Sequence, residues 1–152
     1  MEIFRISASI HARTLSSSGR ANRWNMEGQE VIYAGGSRSL STLELLVNAG
    51  SISPSVRYQV LVISIADEED LIQTIRIRDL PDNWRFQEAY SFLQEIGNKW
   101  YKKAESLILK VPSAVIPKEY NYVINLHHPA FPKKVKLVRK EAYFWDNRLV
   151  NK

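Results

Sequence analysis

SGRANRWNMEGQEVIYAGGSRSLSTLELLVN, residues 18–48, reads as a loop, a strand and a helix in succession, and this unit decides the fold. Its opening belongs to a polar stretch, 13–30, rich in Ser, Gly and Asn, which predicts a loop. Val31 to Ala34 is a short apolar run that stops at Gly35-Gly36, a strand entering a turn. Ser37 or Ser39 then caps a helix on which Leu40, Leu43, Leu46 and Val47 recur at helical spacing, and Gly50 closes it. Glu44 follows Leu40 by four residues and Leu43 by one, so it stands at the flank of the apolar stripe.

The flanking sequence is dominated by strands. Ile3 to Ser7 precedes the unit. Tyr58 to Ala66 is β-branched and apolar on both faces, as in a doubly covered central strand. Thr74 to Arg78 alternates Ile and Arg, the pattern of a half-buried strand. Leu107 to Val111, Tyr122 to Leu126, Val135 to Val138 and Ala142 to Trp145 read as further strands. A second helical stripe runs through Phe86, Ala89, Tyr90, Leu93 and Ile96, with a break expected near Gly97 and Trp100 beyond it. Strands and helices do not alternate strictly, so the expected class is α+β and not a doubly wound sheet. No repeat or Pro/Gly-rich linker interrupts the chain, and one domain over residues 1–152 is expected.

The chain has no cysteine, which excludes thiol nucleophiles, disulfide scaffolds and thiolate-held metals, and fits a reducing compartment. It has neither an apolar run of the ~20 residues a membrane span needs nor a signal-like start, so a cytoplasmic protein without membrane contact is expected. Charge is divided unevenly. Residues 1–98 hold nine Arg, no Lys and twelve acids; residues 99–152 hold twelve basic side chains against four acids. A basic half of this kind is either a solvated face or a footprint for nucleic acid or an acidic partner. The Lys residues lie within strand-like segments and not in a basic arm, and no RNP-like or GXXG motif accompanies them.

Several residues could carry chemistry. Glu44, at a stripe flank, is either partly desolvated and paired or bent out to water. Arg23 stands in the polar loop and Tyr33 on the strand. Each alone is also an ordinary surface Arg or core aromatic. Ser113 follows Pro112 in VPSAVIP, as a turn serine does, outside any G-x-S-x-G elbow. His11, His127 and His128 have no acidic ligand set beside them in sequence, and the run Asp67 to Asp70 reads as a solvated turn, so no metal site is expected. Neither a P-loop nor G-x-G-x-x-G is present.

Taken together, these elements resemble the RES-domain proteins, the toxin halves of Xre–RES toxin–antitoxin pairs. The arginine, glutamate and serine that name the family correspond to Arg23 in RWN, Glu44 in LELLV and Ser113 in VPSAVIP, and its strand tyrosine to Tyr33. LQEIGNKW, LKVPSAVIPKEYNYVIN, HHPAF and FWDNRL resemble the later family blocks in the same order, so the likeness covers nearly the whole chain. Relatives often carry glycines where Ala21 and Asn22 stand, and histidine at the position of Asn48.

The resemblance implies an ADP-ribosyltransferase-like fold, a mixed or antiparallel β core with flanking helices. It implies a toxin that consumes NAD as substrate, by hydrolysis or phosphorolysis, without a further cofactor or metal, or else transfers ADP-ribose to a protein. The implied partner is an Xre-type helix-turn-helix antitoxin, in an oligomeric complex. A non-catalytic module that binds nucleic acid through the basic half is the alternative. On the family reading Arg23 grips the diphosphate, Tyr33 offers a ring face to nicotinamide or ribose, and Glu44 steadies positive charge on the ribose. Ser113 orients Glu44 or the ribose, and Asn25 is a supporting donor to the substrate.

Overall fold

A computed structural model describes residues 1–48, 52–53 and 55–150; the helix stop expected at Gly50 lies outside the described residues. Strands β1 (Glu2–Ala8), β2 (Val31–Gly35), β3 (Tyr58–Ile65), β4 (Ile72–Thr74), β5 (Ile108–Pro112), β6 (Tyr120–Asn125) and β7 (Val135–Tyr143) form one sheet in the order β4-β5-β6-β2-β1-β3-β7. Only the β4–β5 pair is parallel. Helices α1 (Arg38–Asn48), α2 (Tyr90–Lys103), α3 (Phe131–Lys134) and α4 (Asn147–Val150) complete an α+β fold.

Strand alternation sorts the core. One face of the sheet gathers Ile3, Ile32, Ala34, Leu61, Ile63, Ile108 and Ile124 into the main cluster. On the other face, Phe4, Ile6, Val60 and Val62 lie beneath Leu45 of α1, while Leu109, Val111 and Val123 lie beneath Leu93 and Trp100 of α2. Both long helices therefore cover the same face, α1 over β1 and β3, α2 over β2, β6 and β5. Val60 to Ile63 are buried in succession, as the doubly covered reading of β3 requires, and each such side chain contributes roughly 1.5–3 kcal/mol by burial.

Between these territories the sheet parts. β1 pairs with β3 through seven residues but with β2 through one, Phe4 opposite Gly35. Beyond that point the two strand edges separate and their polar groups need other partners. The buried Ser41 hydroxyl meets part of this need, donating to the Phe4 carbonyl at 2.8 Å and sharing its hydrogen with the Ser37 carbonyl at 2.8 Å. Gly35 lets the helix come this close, because a β-carbon there would stand 2.5 Å from Ser41 Oγ. Ser37 caps the helix, accepting from the Leu40 N–H at 3.0 Å. Arg38 forks onto Glu141 of β7 at 2.6 and 2.8 Å, and the Tyr143 hydroxyl donates to Thr42 at 2.9 Å, so both flanks of α1 are tied to the sheet.

Four local expectations are corrected. The strand expected over Thr74 to Arg78 is a three-residue edge strand, Ile72–Thr74; after Ile75 bonds to Lys110 the chain leaves the sheet and turns through Ile77–Asp79. The two strands expected over Val135 to Trp145 are the single strand β7, whose charged middle lies on an exposed sheet edge with a register shift opposite Val62 and Ile63. α2 does not break at Gly97; it runs on to Lys103, and Gly97 is buried with Leu93 and Trp100. On α1 the inward residues are Leu40, Ser41 and Leu45, while Val47 is exposed, because the helix sits low over Gly35 with its 41/44/45/48 side toward the sheet.

Candidate active site

The parting of β1 and β2 opens a cleft on the helix-covered face. Three adjoining cavities, of about 200, 160 and 400 Å³, share Asn22, Tyr33 and Asn48 in their walls. Concave sites at a gap between packed elements are where small ligands bind. A larger cavity of about 680 Å³ lies between β3, β7 and α4, but aromatic rings dominate its wall and no carboxylate lines it.

Glu44 lines the first two cavities and is the one carboxylate in the walls of all three. The low seat of α1 carries it across β2 toward β6 and the end of β5. There its Oε1 accepts from the Ser113 hydroxyl at 2.8 Å and from Asn121 Nδ2 at 2.6 Å. Asn48 Nδ2 donates to the Glu44 backbone carbonyl at 2.8 Å and reaches Oε2 only at 3.3 Å. Thus one carboxylate oxygen is saturated and the other faces the cleft. All of these donors are neutral and no cation pairs with Glu44 among the described residues, so its negative charge is fixed in direction without being cancelled.

Ser113 is fully buried and reaches the cleft only through Glu44. Its oxygen accepts from the N–H groups of Val115 at 3.1 Å and Ile116 at 3.0 Å. With both lone pairs occupied, its single hydrogen is aimed at the carboxylate, and the oxygen has nothing left with which to attack a substrate. The turn serine and the site serine are therefore the same residue in one geometry.

The RWN loop is a tight turn closed by reciprocal bonds between the backbones of Asn22 and Asn25, at 3.1 and 3.3 Å. It rests on α2, where Gln94 donates to the Asn22 carbonyl at 2.9 Å and Gly97 lies against the Trp24 carbonyl. Tyr33 supports it from below, accepting from the Trp24 N–H at 3.1 Å and donating to Asn25 Oδ1 at 2.7 Å. Burial pushes the Tyr33 phenol well above its ordinary value, a shift that Trp24 N–H donation and the nearby Arg23 charge only partly oppose. Its hydroxyl is thus committed, and its ring wall is what remains open to the cleft.

Asn25 is placed differently from the substrate donor expected of it. Its side chain is buried, Nδ2 donates to the carbonyls of Arg20 at 2.9 Å and Met26 at 3.1 Å, and none of the cleft cavities is lined by it. It holds the loop together and has no free donor.

Arg23 extends from the turn over the Tyr90 ring, 4.8 Å from its centre, and one guanidinium nitrogen donates to the Trp84 carbonyl at 3.0 Å. Arg5, Arg20 and Arg85 stand around the same cleft. Arg5 donates to the Ser16 carbonyl at 2.9 Å and Arg85 to the Ala114 carbonyl at 2.8 Å. None of the four has a carboxylate partner among the described residues, and burial pulls the Arg5 guanidinium below its ordinary value. Cations without a carboxylate partner, one of them desolvated, favour an anionic ligand. The cleft therefore offers anion-binding forks around one oriented carboxylate.

Arg5, Arg85 and Asn121 were not singled out by sequence reasoning, and Asn48 entered only as a position where relatives often carry histidine. A signal existed for Asn121, which alternates with Val123 on the inward face of YNYVIN, and for Arg5, a lone charge inside an apolar strand. Away from the cleft, His127 does meet a carboxylate, pairing with Glu30, and His128 Nδ1 accepts from the Ala130 N–H in the turn after β6.

Comparison with known proteins shows which family the sequence matches. The family model described as RES domain matches residues 2–146. A protein named Toxin Res from Yersinia enterocolitica is 34% identical over 127 residues, covering 84% of this chain and 82% of its own. A Toxin Res from Photorhabdus laumondii is 30% identical over 154 residues, covering 99% and 97%. A protein named Prs ADP-ribosylating toxin from Sphingobium is 29% identical over 147 residues, covering 93% and 89%, and its name fits the ADP-ribosyltransferase-like fold.

Proposed function

The chain belongs to the RES-domain family, and from that premise we propose that it is a toxin that consumes NAD by cleaving the bond between nicotinamide and ribose. One observation carries the reading: Glu44 is held through Oε1 by neutral donors, with Oε2 open to an arginine-lined cleft.

Nicotinamide in NAD is a cationic leaving group. When the C1′–N bond breaks, its electron pair returns to the ring and nicotinamide departs neutral, while positive charge develops on the ribose. Ordinary glycosidases need a second carboxyl to protonate the leaving oxygen; this reaction does not. A single unneutralised carboxylate fits it. Glu44 Oε2 accepts a hydrogen bond from a ribose hydroxyl and strengthens its hold as charge develops, which is stabilisation of the transition state over the ground state. Arg23, with Arg5 in the adjoining cavity, binds the diphosphate by charge-assisted forks. The Tyr33 ring packs against the nicotinamide or its ribose. Ser113 and Asn25 act through Glu44 and through the loop. An acceptor then bonds to C1′: water or phosphate in the first instance, a protein side chain in the second reading, which the name of the Sphingobium relative favours.

An enzyme that drains NAD acts in the cytoplasm and must be held inactive in its host, which is the task of an Xre-type antitoxin in an oligomeric complex. No helix among the described residues is long and apolar enough to cross a membrane. Incubating the protein with NAD and identifying the products tests the reading: free nicotinamide with ADP-ribose, or ADP-ribose 1″-phosphate when phosphate is present, supports it. Nicotinamide release only when a protein acceptor is added supports the second reading, and no release under either condition overturns both.

A further inference from the structure

We propose that Asn121 is a positioning residue for Glu44: with Ser113 it saturates one carboxylate oxygen and so reserves the other for the substrate's ribose hydroxyl. The identity of that substrate rests on the NAD reading above; the contact between the two side chains does not.

The register of the sheet builds the arrangement. Asn121 of β6 lies opposite Gly35 of β2 on one side and Val111 of β5 on the other. Gly35 has no side chain, so the space above it stays open and α1 can descend until Ser41 bonds to β1. Glu44, one turn further along, then spans β2 and meets Asn121 at 2.6 Å, with Ser113 just beyond at 2.8 Å. Both donors aim at the same oxygen. A carboxylate oxygen has two acceptor directions, and here both are used, which stops the group from rotating about its last bond. Oε2 is met only by the longer Asn48 bond at 3.3 Å, which leaves it a free direction for the substrate.

The carboxamide is suited to this task for two reasons. It orients the carboxylate without a positive charge, so the field at the ribose is not weakened, as it would be by Lys or Arg. Its short, stiff stem rises from a central strand of the sheet, which fixes the donor better than a loop residue could. The orientation of the amide is dictated as well: an oxygen facing Oε1 at this distance would be repelled, so the NH2 group must face the carboxylate.

The test uses N121A, the near-isosteric N121D, and S113A in the full chain. Loss of a hydrogen bond to a charged group corresponds to about a 10- to 100-fold effect. We expect kcat for nicotinamide release to fall by that factor in N121A, with the KM for NAD held within a few-fold, and by at least that factor in N121D, where a second carboxylate faces Oε1. The N121A/S113A double variant should lose less than the product of the single losses, because both donors act through one oxygen. A second measurement needs no turnover. In ¹⁵N-labelled protein, the Asn121 side-chain amide pair, identified by its absence in N121D, should move upfield in E44A. An unmoved pair means that the contact does not exist, and wild-type kcat in N121A means that it does not matter; either overturns the proposal. A raised KM with unchanged kcat makes Asn121 a substrate contact and overturns it also. If the wild-type protein releases no nicotinamide, the NAD reading falls alone, and the amide resonance still decides the contact.

Discussion

Gly97→Ala separates the support of the cleft from the stability of the fold. A β-carbon at position 97 would stand 1.7 Å from the Trp24 carbonyl oxygen and 2.7 Å from its carbon, whereas ordinary contact begins near 3.4 Å. Both obstacles are backbone and cannot rotate away, so α2 and the RWN loop must part by about 1.7 Å. Two effects on stability oppose each other. Replacing Gly by Ala inside a helix gains about 0.8–1 kcal/mol in propensity. Overpacking of this kind costs about 1–3 kcal/mol, toward the upper end when backbone must move. The clash wins by about 1–2 kcal/mol, which for a domain of this length lowers the melting temperature by about 2–8 °C. The effect on the cleft is larger. Arg23 is adjacent to Trp24, and misplacing a binding group by about 1 Å costs roughly 100-fold in rate. Thermal unfolding and nicotinamide release, measured on the same preparation, should therefore show a mild loss of stability beside a severe loss of turnover. A variant as stable as the wild type or more so, with normal turnover, would refute the close packing of α2 on this loop.

Arg23→Lys keeps the charge but not the fork, so KM for NAD should rise by about tenfold or more while the melting temperature stays within a degree or two; steady-state kinetics check this, and a normal KM returns Arg23 to an ordinary surface role. Tyr33→Phe keeps the ring and leaves Asn25 Oδ1 and the Trp24 N–H without their partner, which should cost about 1–3 kcal/mol of stability. The same residue gives a pH signature. Because burial raises its phenol in the folded state, its contribution is fully present below the unfolded tyrosine's ordinary value of about 10 and is lost as pH rises above it. Melting curves between pH 8 and about 11 should fall more steeply for the wild type than for Y33F, and parallel slopes would contradict the shift.

Much of the site was legible because local chemistry placed it. RWN sits in a polar loop, Tyr33 on a strand, Glu44 on a capped helix and Ser113 just past a strand end, and the fold brings Glu44 and Ser113 into contact, one of the two arrangements the resemblance left open. What escaped depends on contacts remote in sequence. Gly97 resembles a helix breaker because glycine lowers propensity, yet its role is set by a carbonyl more than seventy positions earlier. Ile75 and Ile77 alternate as in a strand, but the sheet ends at Thr74 and only Ile75 finds the core, while Ile77 is largely solvent-facing. Arg139 to Glu141 looks like a break between strands because an edge strand tolerates charge on its open side. Asn25 carries a side chain that could serve a ligand equally well, and only its three hydrogen bonds show that it faces inward.

Glu44→Gln gives the most direct test of whether the open carboxylate oxygen is the chemical centre of this cleft. The glutamine oxygen can keep the bonds from Ser113 and Asn121, which leaves its NH2 group where Oε2 stood, and that group cannot accept from a ribose hydroxyl. Packing is preserved, so folding and NAD binding should survive. Single-turnover nicotinamide release should fall by about 10²–10³-fold, the usual effect of removing one preorganised electrostatic group. A glutamine variant that releases nicotinamide within a few-fold of the wild-type rate would contradict the account.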